Sequence, residues 1–112
     1  MVITQGGNVP KAGDIVIVRV QFTDGPESKL RPALVLFEEL GNVVIAGIST
    51  NLHMNGVPLS KKEGAAQDSV IKLNYLFTVT NEAILKIAFR VNKEKRELVF
   101  EELRRRLGVL KS

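Results

Sequence analysis

Arg31 is the side chain whose chemistry is best defined by its neighbours in the sequence. A polar approach of Glu27, Ser28 and Lys29 leads to it, and Pro32 with an apolar run follows it. Proline has a fixed φ and no N–H, which predicts that Pro32 is the first residue of a strand and that Arg31 is held extended before it. A guanidinium held in this way can bind a phosphate through two parallel hydrogen bonds. The alternative is that Arg31 is only a solvated strand end.

Small polar side chains after a second apolar run provide the other half of the candidate site. Ser49, Thr50 and Asn51 directly follow that run. A two-residue turn at Gly41–Asn42 joins this strand to the strand that follows Arg31. Antiparallel pairing therefore brings the arginine and the hydroxyl groups to the same end of the hairpin.

A cation and hydroxyl groups at neighbouring strand ends suit the cleavage of RNA. RNA carries its own nucleophile, the 2′-hydroxyl, so a protein needs only to align it, assist proton transfer and neutralise charge on the phosphate oxygens. DNA lacks this hydroxyl and would not be cut. Arg31 is a poor base because it holds its proton, so we expect it to stabilise charge. Lys72 and Asn74, on a later strand, complete the polar set.

Composition excludes several other kinds of site. The chain has no cysteine and one histidine, His53, so thiol nucleophiles, thiolate metal sites and a His-rich metal centre are excluded. Its carboxylates are scattered, which disfavours a two-metal nuclease, and it has no glycine-rich phosphate loop. We therefore expect a site without a metal ion or a cofactor.

Length and charge indicate one small globular domain. The 112 residues are 45% hydrophobic and 25% charged, and the net charge of +4 is compatible with a nucleic-acid partner. We expect residues 1–12 to form a mobile lead-in and residues 13–112 to form a single domain. The sequence shows no signal peptide and no apolar run long enough for a membrane span, so we expect a cytoplasmic protein.

The apolar runs predict a mostly β chain. Gly47, near the end of one run, permits a bulge or a close approach of the backbone. The predicted strands cover residues 15–22, 33–38, 43–48, 57–59, 68–73, 77–79 and 84–91.

A single helix is predicted over residues 93–107. Asn92 is its N-cap, Gly108 ends it, and Val99, Leu103 and Leu107 form its apolar stripe. Several short strands with one terminal helix predict a small, mostly antiparallel barrel that the helix caps.

The order of the motifs resembles the MazF/PemK (Kid) toxin family of type II toxin–antitoxin systems. The resemblance covers about residues 12 to 107, and its most specific part is a Gly-Asp pair combined with Arg-Pro-x-Leu-Val. The matching motifs are Gly13-Asp14-Ile15-Val16, Thr23-Asp24-Gly25, Arg31-Pro32-Ala33-Leu34-Val35-Leu36, Ile48-Ser49-Thr50, Asp68-Ser69-Val70-Ile71-Lys72-Leu73 and Thr78-Val79.

The resemblance implies an SH3-like barrel of the MazF/PemK/CcdB type and a homodimer. It implies metal-independent, sequence-selective cleavage of single-stranded RNA. It also implies a small antitoxin with a disordered tail that covers the RNA groove, and DNA binding together with that antitoxin. The family's catalytic arginine falls on Arg31, its catalytic threonine on Ser49 with Thr50 adjacent, and its acidic loop residue on Glu27.

A wider set of residues is assigned to RNA binding. Tyr75 is expected either to stack on an unpaired base or to pack in the core. His53 is expected either to shuttle a proton or to be an exposed loop histidine. The assigned residues are Glu27, Ser28, Lys29, Asn51, His53, Lys72, Asn74 and Tyr75.

Two positions depart from the family pattern and leave alternatives open. PemK-type members place an Asp where this chain has Asn74, and an amide cannot act as a base. Some members have a histidine in the first loop, where this chain has Pro26. Both positions favour a barrel that binds RNA without cutting it, and a further alternative is a toxin-fold protein that acts on a protein target such as gyrase.

Overall fold

A computed structural model describes residues 9–21 and 28–112 of the chain. Within these ranges six strands form one antiparallel sheet in the order β4-β5-β3-β2-β1-β6, and the sheet curls into a half-barrel with one C-terminal helix. The predicted fold class is therefore confirmed. The elements are β1 (Asp14–Gln21), β2 (Ser28–Glu39), β3 (Asn42–Ser49), β4 (Val57–Leu59), β5 (Ser69–Thr80), β6 (Ile84–Arg90), α1 (Lys93–Leu107) and 3₁₀ turns at Lys61–Glu63, Asn81–Ala83 and Gly108–Lys111.

The curled sheet buries apolar side chains on both of its faces. On β2, Leu34 packs into a cluster that includes Val99 of α1, whereas Ala33 and Val35 pack into a second cluster on the opposite face. Alternate residues of one strand thus belong to different clusters, as the two-residue period of a strand requires. This explains why the apolar runs are nearly continuous in sequence.

Strand β2 begins earlier than predicted. Pro32 is not the first residue of the strand, because β2 starts at Ser28 and Pro32 lies in its interior, opposite Ile17 of β1. A proline is tolerated at this point because pairing with β3 begins only at Ala33, so β2 has a single neighbour there.

The hairpin between β2 and β3 turns one residue before the predicted position. Its two central residues are Leu40 and Gly41, with φ of 53° and 84°, whereas Asn42 is already the first residue of β3. Two consecutive positive φ angles define the tight turn that suits the twist of antiparallel strands. The prediction was wrong because a leucine rarely adopts positive φ.

Strand β5 is one element where two were predicted, and it contains a break in register. Ala46 of β3 pairs with Leu76, but the next residue, Gly47, pairs with Lys72. Three residues of β5, Leu73, Asn74 and Tyr75, are therefore left without a β3 partner. We call this segment the β5 bulge. It lies opposite Gly47, the position at which the sequence permits a bulge or a close approach of the backbone.

Helix α1 has the predicted bounds but buries less of its predicted stripe. The Asn92 side chain accepts a hydrogen bond from the Lys95 N–H at 2.8 Å, as an N-cap should. Val99 is buried and Leu103 packs against the same cluster, but Leu107 is 52% exposed. Gly108 ends the α-helix in a right-handed conformation, and the chain continues into a 3₁₀ turn. No helix in the described ranges is both long and apolar enough to cross a membrane.

The Gly13–Asp14 pair holds the start of the barrel to the helix. Gly13 has φ of +97°, and a Cβ placed there would lie 2.4 Å from Cδ of Arg96 on α1. The Asp14 carboxylate is buried, accepts the Lys11 N–H at 2.8 Å and lies 3.3 Å from the Arg90 guanidinium. This motif therefore has a structural role.

Replacing Gly13 by alanine should destabilise the fold. The variant combines an unfavourable φ with a clash against Arg96, so the free energy of unfolding in urea should fall by about 1–3 kcal/mol. Gly108→Ala is the matched control: its glycine is helical with nothing within 4 Å of an added Cβ. That control should be neutral or stabilising by up to about 1 kcal/mol. Equal losses in both variants would contradict this account.

A partly buried ion pair joins the 3₁₀ turn after β4 to α1. The Glu63 carboxylate accepts the Ser60 N–H at 2.8 Å and lies 3.2 Å from Nζ of Lys95, which also donates to the Pro58 carbonyl. Partial burial opposes ionisation of Glu63, but the hydrogen bonds from Ser60 and the Lys95 ammonium outweigh it and lower the pKa of Glu63.

The stability lost in Glu63→Gln should depend on pH. Because the pKa of Glu63 is lower in the folded state, its contribution is complete above the unfolded pKa of about 4.3 and disappears as pH falls through the lower folded value. Urea unfolding at pH 7 should show a loss of about 0.5–1.5 kcal/mol that shrinks below pH 4. Glu97→Gln, at an exposed position on α1, is the control and should stay within about 0.5 kcal/mol of wild type. A loss independent of pH would exclude the ion pair as its cause.

Candidate functional site

One cleft is lined by all three residues predicted to be catalytic, Arg31, Ser49 and Thr50. It has a volume of about 710 Å³ and opens between the ends of β2 and β3 and the β5 bulge. We call it the Arg31 cleft. Its lining consists of Val18, Val20, Arg31, Pro32, Ala33, Ile45, Gly47, Ile48, Ser49, Thr50, Met54, Lys72, Tyr75 and Phe77.

The hairpin geometry accounts for the meeting of Arg31 and Ser49. Ala33 pairs with Gly47 in the last pair between β2 and β3; Arg31 stands two residues before Ala33 and Ser49 two residues after Gly47, at the same end of the hairpin. Arg31 is exposed, Ser49 is half-buried and Thr50 is exposed. A guanidinium and two hydroxyl groups therefore line the same solvent-accessible cleft.

The Ser49 hydroxyl is held by the turn that follows β3. Its oxygen accepts the Asn51 N–H at 3.0 Å, and the Asn51 side-chain oxygen accepts the His53 N–H at 3.0 Å. The hydroxyl oxygen is thus engaged as an acceptor, so its proton can be donated to a ligand oxygen. Asn51 and His53 are exposed turn residues and are not among the described residues that line the cleft.

Lys72 is a second cation in the cleft, and it is buried. The residue is only 5% exposed, and its Nζ lies 5.1 Å from the centre of the Tyr75 ring, which is within the range of a cation–π interaction. Tyr75 is 44% exposed. Both residues stand at the β5 bulge, which therefore shapes this side of the cleft.

The polar lining of the cleft is cationic. Arg31 and Lys72 carry positive charge, and the described lining residues include no carboxylate and no histidine. Across residues 9–21 and 28–112, no three His, Cys, Asp or Glu side chains are grouped so that they could hold a metal ion. The cleft can therefore attract an anion to two cations and offer it hydroxyl donors.

The other residues assigned to RNA binding have varied positions. Ser28 is the first residue of β2, Lys29 is exposed opposite Val20, and Asn74 is exposed in the β5 bulge. None of these three is among the described lining residues. Glu27 and Pro26 lie outside the described residues.

Sequence reasoning missed the apolar part of the lining. Met54 reaches the cleft from the loop after β3, and Ile45 lines it from β3. The alternation of Val18 and Val20 in the sequence indicated a shared face, and both side chains do line the cleft. No signal in the sequence pointed to Met54, because its loop has no periodicity.

Comparison with known proteins gives one family. The model of the "PemK-like, MazF-like toxin of type II toxin–antitoxin system" family matches residues 11–107. No curated protein has a sequence that matches this chain.

Several solved structures share the fold. Toxin MazF-mt6 of Mycobacterium tuberculosis is 24% identical, with a TM-score of 0.66 over 80% of this chain and 91% of that chain. A chain of a MazE–MazF crystal structure from Deinococcus radiodurans is 20% identical, with a TM-score of 0.72 over 89% of this chain and 96% of that chain. An endoribonuclease in complex with its cognate antitoxin from a mycobacterial species is 16% identical, with a TM-score of 0.67 over 90% and 95% of the two chains.

Substitution of Gly47 should disturb the cleft in proportion to side-chain size. A Cβ at this position would lie 3.5 Å from Cβ of Tyr75 and 3.7 Å from the Phe77 ring, so alanine fits, whereas the methyl groups of valine would press on the β5 bulge. Gly47→Val should therefore lose about 1–3 kcal/mol of unfolding free energy, and Gly47→Ala should lose less than about 1 kcal/mol.

The same two variants can be followed at the cleft itself. Tyr75 is the only tyrosine, and the chain has no tryptophan, so intrinsic fluorescence reports this ring alone. Gly47→Val should change the tyrosine emission of the folded protein, and Gly47→Ala should leave it as in wild type. An unchanged emission in Gly47→Val would show that Gly47 does not set the position of the bulge.

Proposed function

Because the chain belongs to the PemK-like, MazF-like toxin family of type II toxin–antitoxin systems, we propose that it is an endoribonuclease that cuts single-stranded RNA. The reaction needs no metal-activated water, because the 2′-hydroxyl of the substrate attacks the neighbouring phosphate. The bond to the 5′-oxygen breaks, and the products are a 2′,3′-cyclic phosphate and a 5′-hydroxyl end.

The observation that carries this proposal is the common cleft of Arg31, Ser49, Thr50 and Lys72. In the transition state negative charge grows on the phosphate oxygens, and groups fixed in advance around these oxygens lower the barrier. Arg31 provides most of the stabilisation of this negative charge, because a guanidinium can bind two oxygens at once. Ser49 donates a hydrogen bond from its hydroxyl to a phosphate oxygen, and the Thr50 hydroxyl offers a second donor.

Proton removal from the 2′-hydroxyl requires a base outside the described lining of the cleft. We assign this role to Glu27, which stands four residues before Arg31 in the sequence. A glutamate side chain can act as a general base and accept a proton during the reaction.

The partners follow from the family. We assign to this chain a homodimeric state, a cytoplasmic location with its RNA substrate, and a small antitoxin whose disordered tail covers the cleft. Two of the similar structures are a MazE–MazF crystal structure and an endoribonuclease in complex with its cognate antitoxin, which supports the antitoxin partner. Contact with DNA would come through the antitoxin.

A barrel that binds RNA without cutting it is the second candidate. It is favoured by the absence of a carboxylate or histidine among the described lining residues and by the exposed amide of Asn74 in the β5 bulge. The two candidates make the same prediction for binding and opposite predictions for product formation.

Arg31→Ala should abolish most of the activity while the protein stays folded. Single-stranded RNA is incubated with the protein in a chelator, and the ends of the products are analysed. Wild type should give cyclic phosphate ends, and the variant should lose about 10²–10³-fold in kcat/KM, the cost of removing one transition-state donor. Arg19→Gln removes an exposed arginine outside the described cleft lining and should retain activity.

Two results would contradict the proposal. Cutting by Arg31→Ala at the rate of wild type would remove Arg31 from the site. Binding by wild type without any product, even when protein exceeds RNA, would establish the second candidate.

A further inference from the structure

The burial of Lys72 requires a structural explanation. The residue is only 5% exposed, so most of its side chain is packed away from water. No side-chain nitrogen or oxygen of the described residues is fully buried without a hydrogen-bond partner, so the ammonium keeps contact with the solvent of the cleft. Across the described residues no carboxylate forms an ion pair with it; its described partner is the Tyr75 ring, 5.1 Å from Nζ. The face of an aromatic ring attracts a cation, and it does so more strongly when water is excluded.

The β5 bulge makes this contact possible. In a regular strand, residues separated by three positions point to opposite faces, so Lys72 and Tyr75 would not meet. Here the register between β3 and β5 shifts at Gly47, and both side chains line the same cleft. Gly47 also provides space, since Cβ of Tyr75 lies only 3.5 Å from where a Gly47 side chain would begin.

We propose that Tyr75 is a positioning residue: its ring holds the Lys72 ammonium in the cleft, where the ammonium neutralises charge on the phosphate in the transition state. This inference rests on the proposed function. It differs from base stacking by Tyr75, which would contribute to RNA binding, and from simple core packing, which a ring exposed to 44% does not fit.

The two roles of the ring affect different kinetic constants. A stacking ring binds substrate and transition state alike, so its loss raises KM and leaves kcat unchanged. A ring that positions Lys72 acts on charge that develops during the reaction, so its loss lowers kcat. The Phe side chain retains the aromatic face, whereas Leu keeps a similar apolar bulk without it.

The experiment compares Tyr75→Phe and Tyr75→Leu in RNA cleavage. Tyr75→Leu should lower kcat about 5- to 30-fold with KM nearly unchanged, and Tyr75→Phe should stay close to wild type. Phe37→Leu is the matched control, because Phe37 is an exposed aromatic residue of β2 outside the described cleft lining. It should keep the kcat of wild type.

A double-mutant cycle tests whether the ring acts through Lys72. In a Lys72→Met background the ammonium is already absent, so adding Tyr75→Leu should cause no further loss in kcat. Full additivity of the two losses would overturn the proposal, as would a rise in KM at constant kcat in Tyr75→Leu.

A spectroscopic measurement keeps the inference separate from the proposed function. The ring should shift the NMR signals of the Lys72 methylene protons next to Nζ upfield in wild type and Tyr75→Phe, and the shift should vanish in Tyr75→Leu. Absence of RNA cleavage by wild type with this shift present would refute the endoribonuclease proposal and leave the contact established. Absence of the shift in wild type would overturn the positioning role, whatever the activity.

Discussion

The register shift between β3 and β5 is the constraint on which the functional side of this barrel depends. Up to Ala46 and Leu76 the two strands pair regularly, and beyond Gly47 they pair again with three residues of β5 left over. A bulge of this size re-aims the side chains around it. It faces Lys72 and Tyr75 into the cleft that Arg31 and Ser49 border from the neighbouring hairpin. Without the shift, Lys72 and Tyr75 would lie on opposite faces of β5.

Some charged side chains form ion pairs that stabilise the fold, and others line the Arg31 cleft. Asp14 with Arg90 and Glu63 with Lys95 are ion pairs that join the start of β1 to β6 and the turn after β4 to α1. Arg31 and Lys72 instead line an opening whose described residues carry no acid. A cleft that concentrates cations where a ligand can enter is suited to a phosphate ester.

The sequence was sufficient for the features that local rules determine. Residue types at fixed offsets predict the Asn92 cap, the bounds of α1 and the edge strand at 57–59. The positions of Arg31 and Ser49 along one hairpin predict that the two residues lie at the same end of it. Local rules do not determine the start of β2 or the continuity of β5, because both depend on which strand lies alongside. They do not determine the turn at Leu40 either, because a leucine there adopts a positive φ. Nothing local indicates the burial of Lys72 or the presence of Met54 in the cleft, since both arise only when the sheet curls.

The central claim is that the cleft uses the hydroxyl of the RNA itself as the nucleophile. The most direct test is to map the cut in a single-stranded RNA and then to replace the nucleotide on its 5′ side by its 2′-deoxy form. The account predicts that the modified oligonucleotide binds with unchanged affinity and is not cut at that position. Continued cutting at the deoxy position would show that the nucleophile comes from elsewhere, and it would contradict the account.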